Sequence, residues 1–402
     1  MARKASLLII FLTVFIDLVG FGIVLPMLPL YSKEFGASGL AAGGIVAAYS
    51  LMQFIFSPIW GRLSDRVGRR PVLLVSTAGA CISYSVFAIG CVEKSVLLLL
   101  ASRLAAGICG ANLSVASAYI ADISPPEDRS KRMGLIGMAF GFGFIFGPVL
   151  GALSAGWFGV AGPGWVAASI CGFNLILAFF ILGESRSPES EPAEPAPRLS
   201  QLGKILKRPQ LGYLIGVFFF ATFCFTCFES TFAVLFAGTK ERPGNFQFVE
   251  EVDLPKGEDV RWEVNDGDEV RKGDLLAVSG SGEALTASTA GRLDRLEDNS
   301  AQINTTKTKA YWLMAFCGFI GAIVQGGCIG PLVKYLGEKK LVVIGISCVG
   351  LSLAFIPYCT HDIGLAYLMI MLALFAISSS LYRAPTFGLI SLNASAAEQG
   401  EV

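Results

Sequence analysis

Four polar side chains stand inside apolar runs, where an isolated charge is costly and acid–base chemistry becomes possible. Asp17 lies in Phe15-Ile16-Asp17-Leu18-Val19-Gly20, Arg103 in Ala101-Ser102-Arg103-Leu104, Glu229 beside Phe228, and Gln325 follows Val324. A charge at the bilayer centre costs about 2.5–3.5 kcal/mol on insertion scales, so each charged group should face a polar cavity or a partner. Protonation would reduce that cost for a carboxylate, which makes Asp17 a candidate proton site. A structural polar contact between helices explains the same placement. Arg103 cannot discharge, which favours a cavity-lining or carboxylate-pairing role. Glu229 is a second candidate proton or cation site, or else an acid near the outer interface. Arg383, in the last apolar run, shares that ambiguity.

A second group is basic. Gly61-Arg62-Leu63-Ser64-Asp65-Arg66-Val67-Gly68-Arg69-Arg70-Pro71 crowds four arginines and one aspartate between two long apolar runs. A tight loop is expected there. An ordinary basic loop accounts for the arginines but not for two glycines seven apart or the embedded acid. A third group, Gly143-x3-Gly147-Pro148-x2-Gly151, combines glycines that permit close helix approach with a proline that weakens the backbone ladder.

The elements that must position these residues are membrane helices. Of the 402 residues 53% are hydrophobic and only 15% charged, with 30 phenylalanines; soluble domains carry about 25% charged residues. Candidate spans fall near 6–30, 41–60, 72–92, 96–121, 133–156 and 164–183, then 211–237, 311–333, 341–359 and 363–390. Runs of about 20 apolar residues cross a bilayer as helices, since unpaired backbone groups cannot be left in lipid. The long first run, with no small-residue cleavage site after it, reads as a retained span rather than a signal peptide. Alternate connections carry the Lys and Arg residues, so the N-terminus and those loops are assigned to the cytoplasm. All ten cysteines lie in apolar stretches, and the Cys224-x-x-Cys227 pair has no metal-ligand neighbours. No disulfide, metal or cofactor is assigned.

Glu184–Pro209 is rich in Pro and Glu and reads as a cytoplasmic linker. It separates six spans (1–184) from four (210–238 and 310–402). Gly61-x-Leu63-x4-Gly68-Arg69-Arg70 recurs as Gly330-x-Leu332-x4-Gly337-Glu338-Lys339-Lys340, offset by 269 residues. Removing the intervening acidic segment shortens the period to about 200, one half of a two-repeat transporter. Counted this way, the second half lacks two helices, and a continuation beyond Val402 is expected. The acidic segment, 239–309, holds ten Lys/Arg and fifteen Asp/Glu. Strands near 260–264 and 275–278, with a turn at Asn265-Asp266-Gly267, point to a small β-rich domain on the external face.

These motifs resemble the major facilitator superfamily, and within it the tetracycline and multidrug drug:proton antiporters. The 61–71 pattern is similar to the signature between that family's second and third helices, and the 143–151 pattern to its fifth-helix antiporter motif, with Ala152 where a glycine is usual. The resemblance implies an all-α polytopic fold with about ten of twelve helices, plus the β-rich insertion. It implies efflux of small amphipathic compounds by alternating access, driven by protons, from a monomer in the cytoplasmic (inner) membrane without nucleic-acid partners or enzymatic activity. Asp17, Arg103, Glu229 and Gln325 would then serve proton coupling or the cavity. Gly61, Asp65, Arg66, Gly68, Arg69, Arg70 and Asp122 would form a conformational latch, Asp65 capping the eleventh helix and Arg69 pairing with Asp122. A non-transporting membrane sensor or scaffold, or an inactive truncated fusion, are the alternatives. Residues 239–309 are weakly similar to the N-terminal domain of quinolinate phosphoribosyltransferase, without that enzyme's catalytic barrel.

Overall fold

The computed structural model describes residues 2–110, 113–124, 126–185, 208–237, 248–254, 260–289, 291–295, 301–359 and 364–393. Eight helices among them are long and apolar enough to cross a membrane by length and composition. Shorter apolar stretches, Phe146–Phe158 and Trp312–Ile323, fall in the expected fifth and eighth spans. The chain divides into two compact units, Met1–Ser187 with Phe232–Ala315, and Pro188–Thr231 with Phe316–Val402.

In the first unit, the expected first span ends early. Helix α1 (Ala2–Val24) stops before Pro26, and a short α2 (Leu28–Glu34) follows; the residue preceding a proline is biased away from helical backbone. Helix α3 (Gly39–Val67), begun by the Ser38 side chain accepting from Ala41 N at 3.2 Å, runs through Gly61–Val67. The expected loop is thereby corrected to one residue, Gly68, at φ 102°, before α4 (Arg69–Val92). A positive φ favours glycine. The expected fourth span is met by α5 (Val96–Cys109) and α6 (Leu113–Ile123), which flank positions outside the described residues and together count as one span; α7 (Pro126–Phe158) and α8 (Gly162–Ile181) follow.

Glycine decides how these helices meet. A Cβ on Gly147 would lie 2.7 Å from Gly22 Cα, and one on Gly143 2.6 Å from Leu18 Cβ, so α7 rests almost backbone-to-backbone on α1. Helix α4 packs between α5 and α8, and α8 also touches α1. Ile10, Leu73, Val115, Tyr119 and Ala178 share a buried core. Polar side chains within the helices satisfy themselves locally, Thr13 Oγ1 donating to Ile9 O at 2.9 Å and Thr77 Oγ1 to Leu73 O at 2.9 Å.

The insertion has its own core. Strands β1 (Val249–Val252), β7 (Ala301–Asn304), β6 (Gly291–Arg295) and β3 (Glu269–Val270) form one antiparallel sheet in that order. Strands β2 (Val260–Trp262), β4 (Leu275–Ser279) and β5 (Ala284–Thr286) form the other. Leu276, Ala277, Leu293 and Ile303 are buried together. Two tight turns repeat one device: Asn265 N donates to Asp268 Oδ2 at 3.1 Å and Arg271 N to Asp274 Oδ2 at 2.8 Å. Pairing of Val249 with Asn304 brings entry and exit strands side by side, so the domain hangs from one point of the chain.

In the second unit, most of α9 (Pro209–Ala237) accompanies α10 (Thr306–Ile323, chiefly its end), a π-turn at Val324–Cys328, α11 (Ile329–Leu336), α12 (Glu338–Phe355) and α13 (Leu365–Asn393). The second copy of the basic motif repeats the geometry of the first: helix to Leu336, a break at Gly337 with φ 77°, then helix again. Helices α12 and α13 pack along their lengths. A cavity of about 930 Å³, lined by residues such as Tyr213, Phe220, Ile346 and Leu353, lies along α9 and α12.

The α1–α7 contact yields a direct prediction. Gly147→Ala should destabilise the protein by about 1–3 kcal/mol through overpacking. Gly156→Ala, on the same helix with nothing within 4 Å, should be neutral or gain up to about 1 kcal/mol of helix propensity. Thermal unfolding of the purified chain in detergent compares the two; equal melting temperatures would refute the close-approach account.

Candidate functional site

Asp17 sits half-buried on α1, one turn from Gly20, where a Cβ would lie 2.7 Å from the Tyr84 hydroxyl on α4. The Phe21 ring stands 4.9 Å from that of Tyr49 on α3. Both Asp17 and Arg103 lie within electrostatic reach of Tyr49 and of Tyr84. Gln53 Nε2 donates to Gly110 O at 3.0 Å and approaches the Tyr49 hydroxyl at 3.5 Å.

Arg103, on α5, is 2% exposed. Its guanidinium lies 5.5 Å from the Tyr84 ring centre and 5.2 Å from that of Phe87. Desolvated cation–π contacts are worth about 2 kcal/mol or more, comparable with the cost of placing the charge in the bilayer. Two ring faces thus hold the cation without neutralising it. Its Nε meets Ser102 Oγ at 3.5 Å, while Nη2 is buried with no hydrogen-bond partner among the described residues. The group combines a carboxylate able to exchange a proton with a fixed positive charge and polarizable ring walls.

Gly143, Gly147, Pro148 and Gly151 are buried on α7. Gly143 abuts Leu18 and Gly147 abuts Gly22, so this motif bears on the stretch of α1 that carries Asp17. A shift of α7 would be felt at the acid.

The basic motif gathers at the other end of α4. Arg69 reaches Asp65 Oδ1 at 2.5 Å, Asp122 Oδ2 at 3.2 Å and Ser64 Oγ at 2.6 Å. Its side chain is 12% exposed against 36% for Asp65 and 29% for Asp122. Each exposed pair alone contributes up to about 1 kcal/mol, so the network sets geometry more than stability. Asp65 thus faces Arg69 one turn along the chain, while Gly61 packs near Ser114 on α6 and Arg66 is exposed. Arg70 Nη2 donates to Phe179 O at 2.7 Å.

Glu184 escaped the sequence reading. Its Oε1 accepts from Arg69 N at 2.8 Å and its Oε2 from Arg70 N at 3.1 Å. Helix α4 opens on a glycine with two arginines in its first turn, and cations there oppose the helix dipole. That defect in the sequence signals a need for an outside anion; it cannot say which acid arrives from 114 or 115 residues away.

In the second unit Gln325 is exposed within the π-turn, a helix irregularity frequent at functional sites. Arg383 lies 4.1 Å over the Phe225 ring, which stacks on Phe375 at 5.4 Å. The Glu229 side chain lies outside the described residues. The 930 Å³ cavity is lined by Lys339 of the second basic motif but by none of Asp17, Arg103, Glu229, Gln325 or Arg383.

A family profile for the Major Facilitator Superfamily matches residues 10–243. Tetracycline resistance protein, class C, of Escherichia coli is 43% identical over 195 residues, 48% of each chain. The chain spans about half the length of that relative. Tetracycline resistance protein, class G, of Vibrio anguillarum is 28% identical over 405 residues, covering 99% of this chain and 85% of that protein. The crystal structure of the nucleoside transporter NupG superposes with a TM-score of 0.65 at 12% identity over 98% of this chain and 86% of the other, a likeness of fold.

Removing the cation between Asp65 and Asp122 leaves two facing carboxylates. Arg69→Ala should cost about 0.5–2 kcal/mol, the sum of two weak half-exposed pairs, and adding Asp122→Asn should recover part of it. Thermal unfolding of the single and double variants measures this; a purely additive double variant would exclude the network.

Proposed function

The chain belongs to the Major Facilitator Superfamily, and from that premise we propose that it exports small amphipathic compounds of the tetracycline kind in exchange for protons. The observation that carries this reading is the group of half-buried Asp17 and Tyr49 with buried Tyr84 and Arg103 on α1, α3, α4 and α5. Asp17 takes up and releases the proton. Arg103, held charged between ring faces, keeps the surroundings electrostatically poised so that substrate and proton compete. The phenol and phenylalanine walls suit planar, partly apolar solutes.

Alternating access follows from the same arrangement. Close helix contacts through Gly143 and Gly147 make α7 and α1 move together, and bend near Pro148. The Asp65–Arg69–Asp122 network acts as the cytoplasmic latch of the transport cycle. Orientation rests on the basic connections, which place the N-terminus and the 185–209 linker on the cytoplasmic face. Helix α9, 29 residues long, extends about 43 Å at 1.5 Å per residue, enough to leave the insertion on the opposite, external face. The chain acts as a monomer in the cytoplasmic membrane.

The test is export itself. Cells expressing the chain should accumulate less tetracycline than controls, with vesicle uptake of drug collapsing when the proton gradient is dissipated. Asp17→Asn should reduce gradient-driven transport by about tenfold or more while the protein still reaches the membrane. Undiminished transport by Asp17→Asn would exclude the proton-site assignment.

A further inference from the structure

Two consecutive residues at the end of the sixth span grip the basic motif from both sides. Glu184 holds the backbone of Arg69 and Arg70, and Ser185 Oγ donates to Asp122 Oδ2 at 3.1 Å, the oxygen that also accepts from Arg69 Nε. Tyr119, one turn before Asp122 on α6, donates to Gly183 O at 2.9 Å. We propose that Glu184 is a positioning residue of the latch, fixing the Arg69 backbone while Ser185 orients Asp122, so that the Arg69 guanidinium is delivered to both Asp65 and Asp122.

The chemistry of α4's start makes this role necessary. Gly68 has no side chain to cap the helix, and at its φ of 102° the break is sharp. A Cβ there would collide with the Glu184 carboxylate, so the space glycine vacates is the space the acid fills. Arg69 and Arg70 place positive charge where the helix dipole is already positive. A carboxylate accepting two backbone N–H groups offsets both defects and satisfies the open donors of Arg69 and Arg70, the next residue, Pro71, having none. Glu184 contacts the main chain of Arg69 rather than its tip, which leaves the guanidinium for the acids of α3 and α6. The proposal rests on the transporter reading only for the word latch; the cap is a property of the folded chain.

Hydrogen exchange on the full chain in phospholipid nanodiscs tests it without any substrate. Glu184→Ala should speed exchange of the Arg69, Arg70, Val72 and Leu73 amides by about threefold to thirtyfold, the range that losing a side-chain cap produces. Glu184→Gln, which keeps one acceptor of the same reach, should restore part of the protection. Asp122→Asn should loosen the Arg69 amide in the native background and add nothing in Glu184→Ala. Native exchange rates in Glu184→Ala, or acceleration spread evenly over all of α4, would overturn the proposal. So would full additivity of the two substitutions. Absent drug export with the expected exchange pattern would defeat the transporter reading and leave the cap standing; normal export with unchanged exchange would do the reverse.

Discussion

A guanidinium buried to 2% exposure in an apolar helix bundle must be compensated, and the N-terminal bundle is arranged around that requirement. Arg103 cannot lose its proton and cannot reach water. Compensation comes from the ring faces of Tyr84 and Phe87. The ring faces do in part what an ion pair at contact distance would do, without discharging the cation.

Holding these rings against the cation demands helices that approach closely, and glycine supplies the approach. Gly20 admits the Tyr84 hydroxyl, Gly107 admits the Tyr49 backbone, and Gly143 and Gly147 seat α7 on α1. These glycines give up helix propensity for backbone contact. Lipid offers no hydrophobic force to press helices together, so packing of this kind must do so.

The two ends of the bundle obey different physics. Inside the spans, charges are few and wrapped by rings. At the basic motif, beyond the apolar stretch, arginines and carboxylates form an ordinary half-exposed network whose separate bonds are weak and whose joint geometry is specific. The insertion follows a third regime, a soluble β-domain built on alternating strands and Asp-stabilised turns, with its own core of Leu276, Leu293 and Ile303. Its adjacent entry and exit strands explain how a membrane chain accommodates it between two helices.

Hydropathy and Lys/Arg asymmetry alone determined the spans and their assigned orientation, because crossing a bilayer leaves the backbone one solution and a lasting apolar signature. Asp17 and Arg103 were visible for the same reason: a charge inside an apolar run stands out. Strands at 260–262 and 275–279 were legible from alternation and turn residues, although five others among the described residues were not. Tertiary structure alone decided the rest. That α3 runs unbroken to Val67 depends on the motif's first half being a helical extension, which a basic composition does not distinguish from a loop. That Glu184 closes the start of α4, and that the Tyr84 ring faces Arg103, are contacts between segments apart in the chain. Local pattern sets which residues must find a partner; which partner they find is set by how helices pack, and packing is written in shape complementarity spread over the whole bundle.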